Sequence, residues 1–366
     1  MKKTISLPTP DVAESKLQDL YRQAGYLPYR MSKFEEYDLY ARNREFLQSP
    51  NIITFTDADG SLRALKPDVT LSIAKNAAGT DGLTKVFYSE SVYRPDRSTN
   101  MFREITQTGL ECIGPVDGYC MAEVLFLAVK SLETLCPECV LDVSFPDLLT
   151  KAFKKARVKD EDVPALMKAF CAKSPHTLSA ILDGSGVSGK DTEILLKLLA
   201  AEGEPKKVLP GIRALYEDED WTGAVDDYLM ILSVLPQKRV CVDFSAAGSL
   251  TYYNGIVFRG FLKGIPDCVL SGGRYDLLME RLGQKKLAIG FAVYLDACEA
   301  LLRRRQDYDL DVLLLYTEND SLKDVFKAVQ SLSADGSRVR AAKEADPAIR
   351  ARTVIKLFGD GRIGTC

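Results

Sequence analysis

Apolar residues recur along the chain at two periods, and the switches between them mark its elements. Between Asp11 and Ala24, Val12, Leu17, Leu20 and Tyr21 keep the spacing of one helical face, and Gly25 follows as a breaker. A first helix is therefore predicted to end there. Short β-rich runs come next, Ile52 to Thr56 and Val86 to Glu90, separated by the turn Asp57-Ala-Asp-Gly60 and by a predicted helix from Asp68 to Asn76. Gly109 to Ile113 reads as a further strand and Met121 to Thr134 as a helix. Short turns join these strands and no strand–helix–strand rhythm is sustained, so antiparallel pairing is expected.

From about Phe145 to Pro236 the texture becomes helical. Predicted helices run from Asp147 to Ala156, Val163 to Phe170, Thr177 to Asp183, Thr192 to Ala201, Ile212 to Tyr216 and Ala224 to Leu235. Strands return at Arg239 to Phe244, Tyr253 to Phe261, Val269 to Gly273 and Ala288 to Ala292, before a helix from Tyr294 to Arg304. The sheet begun early is thus completed after an all-helical insertion. Last come an apolar strand at Leu310 to Tyr316, a helix at Ser321 to Leu332 and a strand near Thr353 to Phe358. The expected organisation is an α+β core from residues 1–144 and 237–305, a helical insertion at 145–236, and a small α/β unit at 306–366.

Composition narrows the chemistry. The 366 residues are 46% apolar and 27% charged, the balance of a globular chain of two or three domains. A formal net charge of -3 supplies no bulk positive field for a nucleic-acid backbone, so nucleic acid is not an expected partner. The chain has one histidine, His176, the side chain that triads, multi-imidazole zinc sites and histidine acid/base pairs all need, so an enzyme of this composition would be unusually histidine-poor. His176 itself reads as a solvated neighbour of a helix start. Nine scattered cysteines fit reduced thiols in a cytoplasm. The single CxxC, Cys136-Pro-Glu-Cys139, lacks half the ligands of a zinc site and reads as a loop with two incidental thiols, so no metal or cofactor is expected. No apolar run of signal length precedes Pro8 and no segment reaches the length of a membrane span, which points to a cytoplasmic protein.

Three stretches carry more glycine, arginine and carboxylate than their surroundings need. In Leu65-Lys-Pro-Asp-Val-Thr70, Asp68 either caps a helix or serves a site. On the strand around Phe102 to Gly114, Arg103, Ile105, Gln107, Gly109 and Glu111 share one face. A buried face with arginine, amide and carboxylate in register must be wet or a binding floor. The third stretch pairs Ser249-Leu-Thr-Tyr-Tyr-Asn-Gly-Ile-Val-Phe258 with Ser271-Gly-Gly-Arg-Tyr-Asp276, which combines phenol rings with a glycine-cleared backbone.

As a set, these segments resemble the catalytic core of class II aminoacyl-tRNA synthetases of the histidyl branch, over about residues 10 to 305. Arg94 in Tyr93-Arg-Pro-Asp96 matches the motif 2 arginine, and Gln107-Thr-Gly-Leu-Glu111 the Gln-x-Gly-x-Glu of a histidine pocket. Pro67-Asp-Val-Thr70 matches Pro-Glu-Gly-Thr, while Tyr252-Tyr253 and Gly272-Gly-Arg-Tyr-Asp276 match the histidine-specific signatures. The resemblance implies that Asp68, Thr70 and Gln107 hold an α-ammonium group, and that Glu111, Tyr253 and Tyr275 recognise an imidazole. Tyr252, Arg94 and Arg103 complete the implied histidine-binding set, the arginines as candidates for the ligand's carboxylate.

Departures from the family pattern are as informative. Gly248 stands where the family's Arg-Gly-Leu-Asp-Tyr-Tyr begins with its catalytic arginine, and Asp296-Ala297 replaces the Glu-Arg of motif 3. Ser32 replaces the motif 1 proline in Met31-Ser-Lys-Phe-Glu35. Adenylation needs preorganised cations at the α-phosphate, so the implied state is a pocket without catalysis. That combination resembles the histidyl-tRNA synthetase-like regulatory subunits of short-form ATP phosphoribosyltransferase, as do Tyr252 to Phe258 and the short C-terminal unit. The resemblance implies a partner, the short catalytic subunit, with L-histidine as feedback ligand and a homodimer built around residues 24–46 within a hetero-oligomer. The competing readings are a divergent working histidyl-tRNA synthetase and a stand-alone histidine or uncharged-tRNA sensor.

Overall fold

The computed structural model describes residues 10–47, 51–77, 82–96, 99, 101–247, 253–298, 308–358 and 362–365. It divides into two compact units, one of Pro10–Leu301 and one formed around Leu302–Cys366. In the larger unit, helix α1 (Pro10–Gln23) buries Ala13, Leu17 and Tyr21, which recur every four residues, and Gly25 follows with φ of +82°. Val12, assigned to that face from its spacing, is 44% exposed because the stripe runs through Ala13 instead.

The chain continues through β1 (Leu27–Pro28), β2 (Phe34–Glu36), α2 (Tyr37–Ala41), β3 (Thr54–Thr56) and β4 (Leu62–Leu65). Strands β2, β4 and β3 form a small antiparallel sheet, closed by a turn in which Gly60 donates to the Asp57 carbonyl. After α3 (Thr70–Asn76) comes the long hairpin β5 (Thr84–Pro95) and β6 (Phe102–Gly114), then α4 (Gly118–Leu135) and β7 (Cys139–Ser144). Strands β5 and β6 run far beyond the short apolar runs that predict them. Their inward positions include polar residues, and polar cross-strand pairs such as Ser89 Oγ and Thr108 Oγ1, 2.9 Å apart, hold the ladder where apolar alternation is absent.

The helical stretch follows as α5 (Pro146–Lys155), α6 (Val163–Cys171), α7 (Pro175–Gly184), α8 (Gly189–Ala200), the two-residue β8 (Glu202–Gly203), α9 (Pro205–Arg213) and α10 (Glu219–Ser233). Side chains of Ser174, Ser188 and Asp218 cap α7, α8 and α10. Fully buried Trp221 donates its indole N–H to the Ile212 carbonyl at 2.9 Å, tying α10 to α9. The helix predicted over Ile212 to Tyr216 instead occupies Pro205–Arg213. Pro205 pre-sets its first turn, and Pro210 is tolerated inside at the cost of one backbone hydrogen bond.

Strands β9 (Val240–Asp243), β10 (Val257–Leu262) and β11 (Leu270–Arg274), the short helix α11 (Asp276–Arg281) and β12 (Leu287–Tyr294) complete the unit. The main sheet has nine strands in the order β1-β5-β6-β12-β11-β10-β7-β9-β8. All its pairs are antiparallel except β1 with β5 and β7 with β9. Strand β7 and helix α11 have no counterpart in the pattern reading: each is six residues long, too short for a period to show. Strand β7 starts at Cys139, and Cys136 closes α4, so the CxxC spans a helix-to-strand turn with both thiols free and buried. Strand β10 begins at Val257, four residues later than predicted. The helix expected from Tyr294 lies largely outside the described residues.

In the smaller unit, β13 (Leu310–Leu315), α12 (Leu322–Ser333), β14 (Val339–Ala342), β15 (Ala351–Leu357) and β16 (Ile363–Thr365) form a four-stranded sheet in the order β14-β13-β15-β16. Strand β13 is parallel to both neighbours, and Leu314, Val325, Ala328, Ile355 and Leu357 make the core.

Glycine is a packing requirement in the middle of the main sheet. A Cβ on Gly272 would stand 2.4 Å from the Gly290 carbonyl oxygen and 2.5 Å from Phe291 Cβ. Gly272→Ala should therefore lower stability by about 1–3 kcal/mol, read as a lower urea midpoint with an unchanged slope.

Candidate functional site

Antiparallel partners share a face of the sheet, so register alone arranges the site in rows. One row runs Val86, Glu111, Gly290, Gly273, Val257 across β5, β6, β12, β11 and β10. The next on the same face is Tyr88, Gly109, Ala292, Ser271, Arg259 and, on β7, Asp142. A third brings Glu90, Gln107 and Tyr294 together.

Glu111 is the centre of the first row and only 1% exposed. Its Oε1 accepts the Thr70 hydroxyl at 2.8 Å, and its Oε2 accepts the Tyr275 phenol at 2.6 Å. Two donors do not offset the lost water: burial pushes the carboxyl from 4.5 up to about 8, and the Asp68 charge adds to the rise. The carboxylate also needs room. A Cβ on Gly290 would lie 1.7 Å from Glu111 Oε2, so the cross-strand glycine clears the space the glutamate fills.

Asp68 makes the helix-start contact that one of its sequence readings expects. Its Oδ1 accepts the Leu71 N–H at 2.9 Å at the start of α3, and the same buried carboxyl acts electrostatically on Glu111. Burial raises its pKa, against the pull of the Arg94 guanidinium. Arg94, 6% exposed, donates Nε–H to the Pro67 carbonyl at 2.7 Å and so braces the same loop.

The Gly-Gly-Arg-Tyr-Asp segment divides its labour residue by residue. Tyr275 supplies the phenol, and Asp276 holds the phenol's backbone: it accepts from Arg274 Nε at 2.6 Å, from Asn254 Nδ2 at 3.2 Å and from the Ala288 N–H at 2.9 Å. The Tyr253 ring lies against Gly273, where a Cβ would come within 2.6 Å of it. Burial raises the Tyr253 phenol above its usual range, with Arg259 working against the rise.

Beside this cluster opens a cleft of ≈ 290 Å³ between the ends of β5, β6 and β12. Arg94 and Arg103 supply its cations, Asp96 and Asp296 its carboxylates, and Tyr294 and Cys268 further lining. Arg103 donates to Asp96 Oδ2 at 2.8 Å with its side chain 61% exposed, and Asp296 Oδ2 accepts the Thr106 N–H at 3.2 Å. Two cations therefore face two anions.

The structure thus gathers Asp68, Thr70, Glu111, Tyr253 and Tyr275 into one cluster. Gln107, 2% exposed, stands about 13 Å along β6 from Glu111, in the row that leads to the cleft; Arg103 lies beyond it at the rim. Tyr252 and Gly248 lie outside the described residues. His176 is exposed at the first turn of α7. Sequence reasoning missed Tyr88, buried against Gly109 and carrying a phenol pushed well above its usual range by burial and the Glu111 charge. Its signal was available in the two-residue period that places it between Val86 and Glu90. Also missed was the buried ion pair of Lys66 with Glu90, whose carboxylate accepts the Met31 N–H as well.

The model of the histidyl-tRNA synthetase family matches residues 10–298, and the chain belongs to that family. Its fold is the class II synthetase core, a large, mostly antiparallel sheet flanked by helices. Among curated proteins, it is 28% identical to the ATP phosphoribosyltransferase regulatory subunit of Clostridium kluyveri, over 88% of this chain and 86% of that one. The regulatory subunit of Thermoanaerobacter sp. strain X514 is 29% identical over 84% and 83% of the two chains. Among solved structures, an ATP phosphoribosyltransferase regulatory subunit/histidyl-tRNA synthetase from Bacillus halodurans C superposes with a TM-score of 0.76 at 21% identity, covering 95% of this chain and 93% of that one.

The raised carboxyl gives a pH dependence with a definite sign. The folded protein holds a proton on Glu111 that the unfolded chain releases near 4.5, so the stabilisation is complete below that pH and fades as pH rises through about 8. Urea denaturation between pH 5 and 9 should show stability falling with pH in this window, with a shallower fall in Glu111→Gln.

Proposed function

We propose that the chain is a non-catalytic regulatory subunit that binds L-histidine and tunes a short-form ATP phosphoribosyltransferase in the cytoplasm, as a homodimer within a hetero-oligomer. The observation that carries this reading is the agreement of its curated relatives, regulatory subunits that match it over most of both chains. The proposed ligand fits the cluster by chemistry. An imidazole presents N–H groups and an aromatic face to Glu111, Tyr253 and Tyr275, while an α-ammonium presents three donors to Asp68, Thr70 and Gln107. Arg94, Arg103 and Tyr252 belong to the same proposed set.

Absence of adenylation is part of the proposal. Building charge on an α-phosphate calls for fixed cations aimed at it. Gly248 and Ala297 stand where the resemblance expects arginines, and Arg103 is already paired with Asp96 while Asp296 adds a negative charge to the cleft wall. A carboxylate at that wall repels a nucleotide's phosphates.

Two outcomes are expected. Isothermal titration should show L-histidine binding to the purified chain, weakened in Glu111→Ala by at least about 1 kcal/mol, the scale of a lost hydrogen bond. Co-purified with a short ATP phosphoribosyltransferase chain, the protein should raise that chain's activity and make it sensitive to L-histidine. Failure to stimulate matched partners, or robust histidine-dependent ATP–pyrophosphate exchange by this chain alone, would overturn the reading.

A further inference from the structure

We infer that Arg259 takes the carboxylate of the bound amino acid, three strands across the sheet face from Glu111. The inference rests on the histidine-binding reading above and assigns the one ligand group that the tyrosines and carboxylates of the cluster cannot hold. Three other arginines around the site are engaged: Arg94 with the Pro67 carbonyl, Arg103 with Asp96 and Arg274 with Asp276. Arg259 is half-buried on β10, and among the described residues its side chain makes no hydrogen bond or ion pair. Its cross-strand neighbour Asp142 feels its charge without pairing to it; burial and the nearby Asp243 raise the Asp142 carboxyl to about 6.

Register puts Arg259 on the face that carries Glu111 and one row away from it. Three strand spacings, about 14 Å, and a two-residue offset of about 7 Å separate the two backbones. The floor between them is Gly290, Gly273, Ala292 and Ser271, residues with small side chains or none. The Arg259 charge reaches the Tyr253 phenol, which lies over Gly273, and the Cys268 thiol, which lines the cleft. The guanidinium is therefore felt from the trough as well as from Asp142. A partly desolvated guanidinium whose N–H donors meet no direct acceptor among the described residues is an unfavourable arrangement, and a carboxylate matches its fork of N–H donors. With the imidazole at Glu111 and the carboxylate at Arg259, one amino acid would lie along the glycine floor.

The test is calorimetric titration of the full chain with L-histidine and with histamine, which keeps the imidazole and amine but lacks the carboxylate. Wild type is expected to prefer L-histidine by about tenfold or more, the scale of a charge-assisted bidentate contact. Arg259→Gln should remove that preference by weakening L-histidine while leaving histamine binding unchanged, and Arg259→Lys should restore part of it. An Arg259→Gln chain that still prefers L-histidine overturns the assignment, as does equal weakening of both ligands in a variant that melts like wild type. If Glu111→Ala weakens L-histidine and Arg259→Gln does not, this inference fails and the histidine reading stands; if wild type binds no L-histidine, both fail.

Discussion

A carboxyl group buried on the face of a β-sheet must be supplied with donors and space, and Glu111 obtains both from segments far apart in the chain. Thr70 comes from the first turn of α3, Tyr275 from the residue ahead of α11, and the space from Gly290 on the neighbouring strand. Each supplier is itself braced. Asp68 caps α3, Arg94 holds the Pro67 carbonyl, and Asp276 locks the turn beneath Tyr275 to Asn254 and Ala288. Removing water from the carboxyl is the constraint; the hydrogen-bonded frame around it is the response.

The polar network extends beyond that centre and stays nearly balanced. Lys66, 1% exposed, pairs with Glu90, and Arg103 pairs with Asp96 at the cleft. Asp296 is committed to the backbone of β6. A cleft whose cations already face carboxylates offers little excess positive potential for a polyphosphate, whereas a buried glutamate flanked by phenols suits a small ligand with N–H donors. On the proposed reading, the amino-acid half of a synthetase site persists beside a nucleotide half that has lost its charge. A ligand that draws on Glu111 would then act on α3, β6 and α11 together, and any effect on a partner's affinity would be returned equally to the ligand.

Much of the architecture could be read from residue order. The helices from α5 to α10 appear within a few residues of their apolar periods, except where Pro205 and Pro210 belong inside α9 rather than before it. Strands β5 and β6 were underestimated for a physical reason: Gln107 and Glu111 are buried polar residues, and alternation of apolar side chains does not mark a strand whose inward face is polar. Strand β7 and helix α11 were missed because six residues cannot display a period.

The site divides in the same way. The order of residues, with the synthetase motifs it resembles, was enough to single out Asp68, Thr70, Glu111, Tyr253 and Tyr275 as candidates. It was also enough to assign the alternating face of β6 and to show an arginine-poor pattern at Gly248 and Ala297. Only the tertiary structure decided that Glu111 faces Gly290, that Tyr88 stands beside Gly109, and that Arg103 is paired while Arg259 has no ion pair among the described residues. Those relations depend on strand order and register, which are set by packing between segments up to two hundred residues apart and leave no mark in the period of any one of them.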